Sequence, residues 1–290
     1  MKHIVEIRNL TYRYPTAKQE TIRNLSLSIE RGRLCSIIGP NGAGKTTLCN
    51  VIRGFIPHFY KGDFQGEVLI AGKSTKEATV GELALKVGYV FQNPFTQISG
   101  VAETVFEEIA FGLENLGVEA EEIRARVEDV LKLTNIESLR DRNPFELSGG
   151  QLQRVALASI IVMDPEILVI DEPTSQLDPE GTEEVFEIIK RMKEQGKTII
   201  LVEHKMELIA EYSDQIVLLH DGQIVMEGSG DEILTNERVL AYDTQLPQYA
   251  QLGMEIKKEG MPLRKIPITE KQAHREISAL LERRKGEANV

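Results

Sequence analysis

Gly39-Pro40-Asn41-Gly42-Ala43-Gly44-Lys45-Thr46-Thr47 fits the spacing G-x-x-x-x-G-K-[ST], and that spacing binds phosphate. Gly42 and Gly44 lack a Cβ, so the backbone can curl closely around phosphate oxygens. The apolar run Leu34–Ile38 before the loop reads as a buried strand, and Thr47–Ile52 after it reads as a helix. A helix start directs its amides and its dipole at an anion. Lys45 is then the cation for the β- and γ-phosphates of a nucleotide, and the Thr46 hydroxyl takes one position on Mg²⁺. The plain alternative is a glycine-rich turn before a helix.

Other residues could complete that chemistry. Ile167-Leu168-Val169-Ile170-Asp171-Glu172 is an apolar run ending in two carboxylates. After a phosphate loop, such a strand delivers Asp171 to the metal and Glu172 to the attacking water. Without that loop it would be only an acidic strand end. His204 ends a second apolar run, Thr198–Glu203, which predicts a place on the same carboxyl edge if the strands are parallel. Leu147-Ser148-Gly149-Gly150-Gln151 opens a predicted helix. Ser148 and Gln151 make a capping box. Two glycines in a first turn weaken a helix, and they make sense where an anion must come close.

Several elements must position these groups. Ile4–Arg8 and Leu25–Ile29 read as antiparallel strands, with Tyr12 and Tyr14 near the end of the first. Either tyrosine could stack on an adenine ring or simply pack at the strand end. Glu67–Ile70 and Val87–Phe91 read as strands, the second running into Gln92-Asn93-Pro94. Val101–Leu116 predicts an amphipathic helix with Val101, Val105, Ile109 and Leu113 inward and Glu103, Glu107, Glu108 and Glu114 outward. Helices are also expected over about 119–133 and 179–194, and Ile216–Leu219 with Gln223–Glu227 reads as a hairpin. Beyond about residue 235 the pattern weakens, until a terminal helix from Thr269 with Ala273, Ile277, Leu280 and Leu281 on one stripe.

Composition narrows the class. The chain has 290 residues and a net charge of −11. Residues 251–290 carry a balance of +3, so the first 250 carry −14. An acidic body argues against a primary role on nucleic acid. No apolar run approaches the ~18 residues of a membrane span, and Met1–Glu6 lacks the apolar core of a signal peptide. A cytosolic location is expected. Cys35 and Cys49 read as packing residues, and the five histidines show no metal-ligand spacing.

Taken in order, Tyr14, the phosphate loop, Gln92, Leu147-Ser148-Gly149-Gly150-Gln151, Asp171-Glu172, Asp178 and His204 resemble the nucleotide-binding subunit of ATP-binding cassette (ABC) transporters, over residues 1 to about 235. The resemblance implies an α/β P-loop NTPase: a RecA-like core, an N-terminal antiparallel β-subdomain and an α-helical subdomain at about 95–160. Residues 236–290 would be a small C-terminal appendage, either an association element or a docked tail. It implies that Tyr14 stacks on adenine and that Gly39, Asn41, Gly42, Ala43, Gly44, Lys45, Thr46, Thr47 and Gln92 bind ATP. Thr46, Gln92 and Asp171 would hold Mg²⁺. Glu172, His204 and Lys45 would be the catalytic set. Ser148, Gly149, Gly150 and Gln151 would act on the ATP of a second subunit, and Asp178 would close the D-loop at the dimer interface.

A narrower resemblance, to the ATPases of energy-coupling factor (ECF) importers, rests on Phe91–Gln97, on Thr104–Gly112 and on Glu203-His204-Lys205-Met206. The chain departs from that family at Phe95-Thr96, where acidic residues are frequent, and at Gln176, where alanine is usual. This resemblance implies an ATPase on the cytoplasmic face of the membrane, driving uptake of a vitamin or transition-metal ion. Its partners would be a second ABC ATPase (a copy or a paralogue), a transmembrane coupling protein and a substrate-binding membrane protein, with no nucleic acid. Glu107 and Glu108 would then meet arginines of the coupling protein. The alternatives are the ATPase of a conventional binding-protein-dependent importer, a soluble ABC ATPase of DNA repair or translation, and a nucleotide sensor. Only about a hundred residues separate Gly44 from Ser148, without sustained heptads, which disfavours the repair type.

Overall fold

The computed structural model describes residues 2–288, with the side chains of its last helix described as far as Glu282. Strands β1 (His3–Arg13) and β2 (Ile22–Glu30) pair antiparallel at the start of the chain. Strand β3 (Leu34–Ile38) leaves them for a second sheet. Helix α1 (Lys45–Ile52) and the short α2 (Phe55–His58) follow. Strands β4 (Asp63–Ile70) and β5 (Lys73–Ser74) then complete the first sheet in the order β2-β1-β4-β5.

Short helix α3 (Val80–Ala84) leads to β6 (Val87–Val90). Helices α4 (Val105–Asn115), α5 (Ala120–Leu133) and α6 (Gly149–Ile161) come next and share one apolar cluster. The chain then alternates through β7 (Ile167–Asp171), α7 (Pro179–Glu194), β8 (Thr198–Val202) and α8 (Met206–Tyr212). It closes the sheet with the hairpin β9 (Gln215–His220) and β10 (Gln223–Gly228). The second sheet has the order β10-β9-β3-β8-β7-β6, parallel except for β10. Strands β3, β7 and β8 are buried at every residue, as unbroken apolar runs covered on both faces should be.

Register decides what the sheet presents. Val90 lies opposite Ile170, Asp171 opposite Val202 and Ile37 opposite Val202. The chain therefore leaves β3, β6, β7 and β8 at one edge, where parallel sheets place ligands.

Two sequence expectations need correction here. Helix α4 starts at Val105, not Val101, because Thr104 and Glu107 form a capping box that ends the loop before it. Val101 is 70% exposed rather than part of the apolar stripe. Glu108, expected to face outward, is buried at 4% exposure, and its carboxylate accepts from the Ser99 amide (2.8 Å) and hydroxyl (2.7 Å).

After β10 come α9 (Gly230–Ile233), α10 (Gln248–Lys258) and α11 (Glu270–Ala288). Helix α10 has no counterpart in the sequence reading. Val239, Leu246, Ala250, Met254 and Ile268 share one core with Ile38, Met206, Ile209, Ile216 and Leu218. The segment after 235 is thus packed on the second sheet. In α11, Ala273 and Leu280 are buried, but Leu281 is 54% exposed. Among the described residues, no helix is long and apolar enough to cross a membrane.

Candidate active site at the carboxyl edge

The phosphate loop spans β3 to α1. Gly39, Gly42 and Gly44 all have positive φ, of 139°, 80° and 104°. At Gly39 a Cβ would lie 2.0 Å from the carbonyl oxygen of Leu219, so only glycine fits between the loop and β9. The loop is tied to the β9–β10 turn by Gly222, whose N–H donates to the Ala43 carbonyl at 3.0 Å. Lys45 is 6% exposed, and its Nζ donates to the carbonyls of Gly39 (2.9 Å) and Pro40 (3.1 Å). Burial holds that ammonium below the usual lysine range, against the pull of the Glu172 and Asp171 carboxylates. Asn41 and Thr46 are exposed at the rim, while Ala43 and Thr47 are buried.

Asp171 ends β7 at 7% exposure and accepts a hydrogen bond from the Tyr89 hydroxyl at 2.8 Å. Burial raises its carboxyl, and hydrogen bonds from Tyr89 and Thr46 work the other way. Thr46, Asp171 and the side-chain carbonyl of Gln92 offer only oxygen atoms, which suits a hard cation such as Mg²⁺. The buried Asp171 carboxylate beside a hydroxyl fits that use. Among the described residues there is no group of three or more His, Cys, Asp or Glu able to hold a metal. Phosphate oxygens of the nucleotide would have to supply the remaining ligands.

Glu172 sits between two long-range partners. The Gln92 amide Nε2 donates to its Oε2 at 2.9 Å, and the Nε2–H of His204 donates to its Oε1 at 2.8 Å. A carboxylate only accepts, so this contact fixes the histidine proton on Nε2. Glu172 has φ 48°, the left-handed region that non-glycine residues rarely enter. Its N–H donates to the Val202 carbonyl at 2.9 Å, which holds the turn against β8.

Tyr12 and Tyr14 are separated by their surroundings. Tyr12 is fully buried, with its hydroxyl 3.3 Å from the carbonyls of Tyr60 and Lys61. Tyr14 is only partly buried, and its hydroxyl lies 3.3 Å from Thr47 Oγ1 at the start of α1. Its ring stands edge-on to Tyr12 (centroids 4.9 Å) and to Tyr60 (5.9 Å). Of the two, Tyr14 is the one beside the phosphate loop.

The signature residues do not join this cluster. Ser148 caps α6 in the capping box with Gln151. Among the described residues, no hydrogen bond links 148–151 to 39–47. Gly149 is exposed, and a Cβ there would touch nothing within 4 Å. Neither packing nor a positive φ inside this chain requires its glycine. Asp178 caps α7, its Oδ1 accepting from the Gly181 N–H at 2.8 Å. Gly181 in turn packs near Gly150: a Cβ added at Gly181 would lie 3.8 Å from the Gly150 Cα.

The sequence reading did not pick out Tyr89, Thr174 or Arg53. Tyr89 looked like one more strand residue. Arg53 is buried with its guanidinium over the rings of Phe55 (3.8 Å) and Tyr89 (3.9 Å), and no spacing marks that stack. A cavity of about 730 Å³ lies away from all these groups, between α7, α8 and the segment after 235.

Comparison with known proteins gives the family. The family model "ABC transporter" matches residues 22–175. The chain belongs to the ABC transporter family. It is an ABC ATPase, which hydrolyses ATP. The ATPase is 43% identical over 266 residues to a putative ABC transporter ATP-binding protein of Pyrococcus abyssi, covering 91% of this chain and 94% of that one. It is 38% identical over 264 residues to an energy-coupling factor transporter ATP-binding protein, EcfA2, of Methanospirillum hungatei, covering 90% of this chain and 64% of that protein. Its fold matches cbiO1 of Clostridium perfringens, described as part of the ABC transporter complex cbiONQ, with a TM-score of 0.75 and 32% identity. That match covers 88% of this chain and all of the other. ATPases of the family dimerise and work with transmembrane components.

Proposed function

We propose that this ATPase powers an ECF-type importer of a vitamin or transition-metal ion from the cytoplasmic face of the membrane. Its likeness to EcfA2 over nine-tenths of its length supports the subtype. The observation that carries the mechanism is Glu172, held by Gln92 and His204 at the edge where the phosphate loop opens. Tyr14 stacks on the adenine, and residues 39–47 enclose the phosphates. Lys45 gives up the Gly39 and Pro40 carbonyls for the β- and γ-phosphate oxygens. Thr46, Gln92 and Asp171 would hold Mg²⁺, whose charge offsets that developing on the phosphates.

Glu172 accepts a proton from water as the water oxygen bonds to the γ-phosphorus. The bond from that phosphorus to the β-bridging oxygen breaks, and ADP and phosphate leave. His204 keeps the carboxylate aimed, and Lys45 stabilises the spreading charge. Two subunits sandwich two ATP molecules head to tail. The free helix start at Ser148–Gln151 faces the γ-phosphate of the partner, which accounts for a glycine at 149 that this chain alone does not need.

Of the acidic pair expected to meet the coupling protein, only Glu107 is exposed. Glu108 is buried, and Glu107 accepts the Glu103 and Thr104 amides. The loop between Gln92 and Thr104 instead exposes Phe95 (52%) and Val101 (70%), with Phe145 (53%) beside Gly100. An apolar patch so close to the γ-phosphate sensor Gln92 suits a short cytoplasmic helix of the coupling protein. Purification of the tagged ATPase from its native membrane tests the reading. A complex with a coupling protein and a substrate-binding membrane protein is expected. A complex that depends on an extracytoplasmic binding protein would place it with conventional importers.

A further inference from the structure

His204 is flanked by two charged residues that the hydrolytic reading leaves unused. Glu203 is 3% exposed, and its Oε1 accepts from the Thr174 hydroxyl at 2.6 Å. Lys205 Nζ donates to the Thr182 hydroxyl at 2.7 Å and reaches the Thr174 carbonyl at 3.4 Å. Thr174 and Thr182 are 1% and 5% exposed. Thr174 lies two residues after Glu172, and Thr182 lies in the first turn of α7, which Asp178 caps. A buried carboxylate is costly unless its partners need it. This one is spent on the turn that carries the general base into α7.

That turn has something to hold. Glu172 occupies a left-handed conformation at φ 48°, which persists only when its surroundings over-determine it. Its own hydrogen bonds to Gln92 and His204 lie on the solvent side of the site, where Glu172 is part exposed and His204 is exposed. The buried side of the turn is held by Glu203 and Lys205.

We propose that Glu203 and Lys205 are positioning residues for ATP hydrolysis: as a two-armed latch on Thr174 and Thr182, they fix the segment 172–182 against His204. One arm sets the angle at which Glu172 meets the water. The other fixes the start of α7, and with it Asp178 and the Gly150–Gly181 contact with the signature helix. The latch explains why charged residues stand on both sides of His204. It rests on Glu172 being the general base.

The test uses Thr174→Val, Glu203→Leu and their double variant, with Thr174→Ser and Glu203→Gln as conservative partners. Glu172→Gln is the control. Steady-state kcat and KM for ATP, equilibrium ATP affinity and melting temperature are measured for each. The latch predicts that Thr174→Val lowers kcat about tenfold, the size of effect small misplacements of a reacting group produce, with KM and ATP affinity within about twofold. Thr174→Ser restores kcat, and the double variant is no worse than the worse single. Wild-type kcat in Thr174→Val overturns the proposal. So does a fall in ATP affinity matching the fall in kcat, or a Thr174→Ser variant as slow as the valine. If Thr174→Val melts too early to assay, Glu203→Leu and Lys205→Met decide by the same split between kcat and KM. Full turnover by Glu172→Gln would instead remove the general-base assignment itself.

Discussion

At φ 48°, Glu172 is a strained residue placed by neighbours 32 and 80 positions away. Its type was legible, because a carboxylate pair ending an apolar run after a phosphate loop has few other uses. Its geometry was not, since neither the Gln92 contact nor the Thr174–Glu203 pair leaves any local spacing. The same divide separates Lys45 from Tyr89. Lys45 belongs to a pattern with fixed intervals, whereas Tyr89 reaches Asp171 only through the pairing of β6 with β7. Lys45 also yields the simplest expectation. Its buried ammonium is satisfied by two carbonyls and lies near two carboxylates. In Lys45→Ala we expect ATP affinity to fall by about a hundredfold or more, because charge-assisted contacts contribute about 1.5–3 kcal/mol each. Titration with a fluorescent ATP analogue checks this, and near-native affinity would mean that residues 39–47 do not bind phosphate.

Among the elements, buried parallel strands were easy to read and helix boundaries were harder. The runs at β3, β7 and β8 are apolar throughout, so no choice of face had to be made. Helix α4 misled because Val101 falls four residues before Val105 and extends the apolar stripe by spacing alone. The Thr104–Glu107 cap overrides that stripe and turns Glu108 inward. Helix α6 was read correctly because its cap is explicit in Ser148 and Gln151. Its first turn carries a prediction that separates stability from function. A side chain at Gly149 meets nothing in this chain, and an acidic residue in a first helical turn is mildly stabilising. Gly149→Glu should therefore melt within a few degrees of the parent and bind ATP normally, yet lose at least about tenfold in hydrolysis, since it sets a carboxylate against the partner's γ-phosphate. Calorimetry and a phosphate-release assay check both halves. Unchanged hydrolysis would mean that the signature helix does not face a nucleotide.

For the whole molecule, the α/β core and the hairpins followed from periodicity and turn residues. The segment after 235 did not, because its apolar residues pack one at a time on β3 and β9 rather than forming a periodic stripe. The coupling surface is a property of this scale too. Phe95→Asp combined with Phe145→Asp should leave ATPase of the isolated subunit within about twofold, as exposed substitutions usually shift stability by only about 0.5 kcal/mol. Assembly with the membrane partners should be lost. Reconstitution with those partners checks it, and normal assembly would move the docking site elsewhere.

The central claim is that one chain holds two halves of different sites, a phosphate loop with its base and a signature helix for the partner's ATP. Glu172→Gln keeps the volume and the binding groups but removes the base, so it should slow turnover by roughly 10²–10⁴ and accumulate the ATP-bound pair. Light scattering on Glu172→Gln with MgATP is the most direct measurement. The account predicts twice the monomer mass with ATP, the monomer mass with ADP, and no dimer when Gly149→Glu is added. A Glu172→Gln protein that stays monomeric with saturating ATP, or that hydrolyses it at the parent rate, would contradict it.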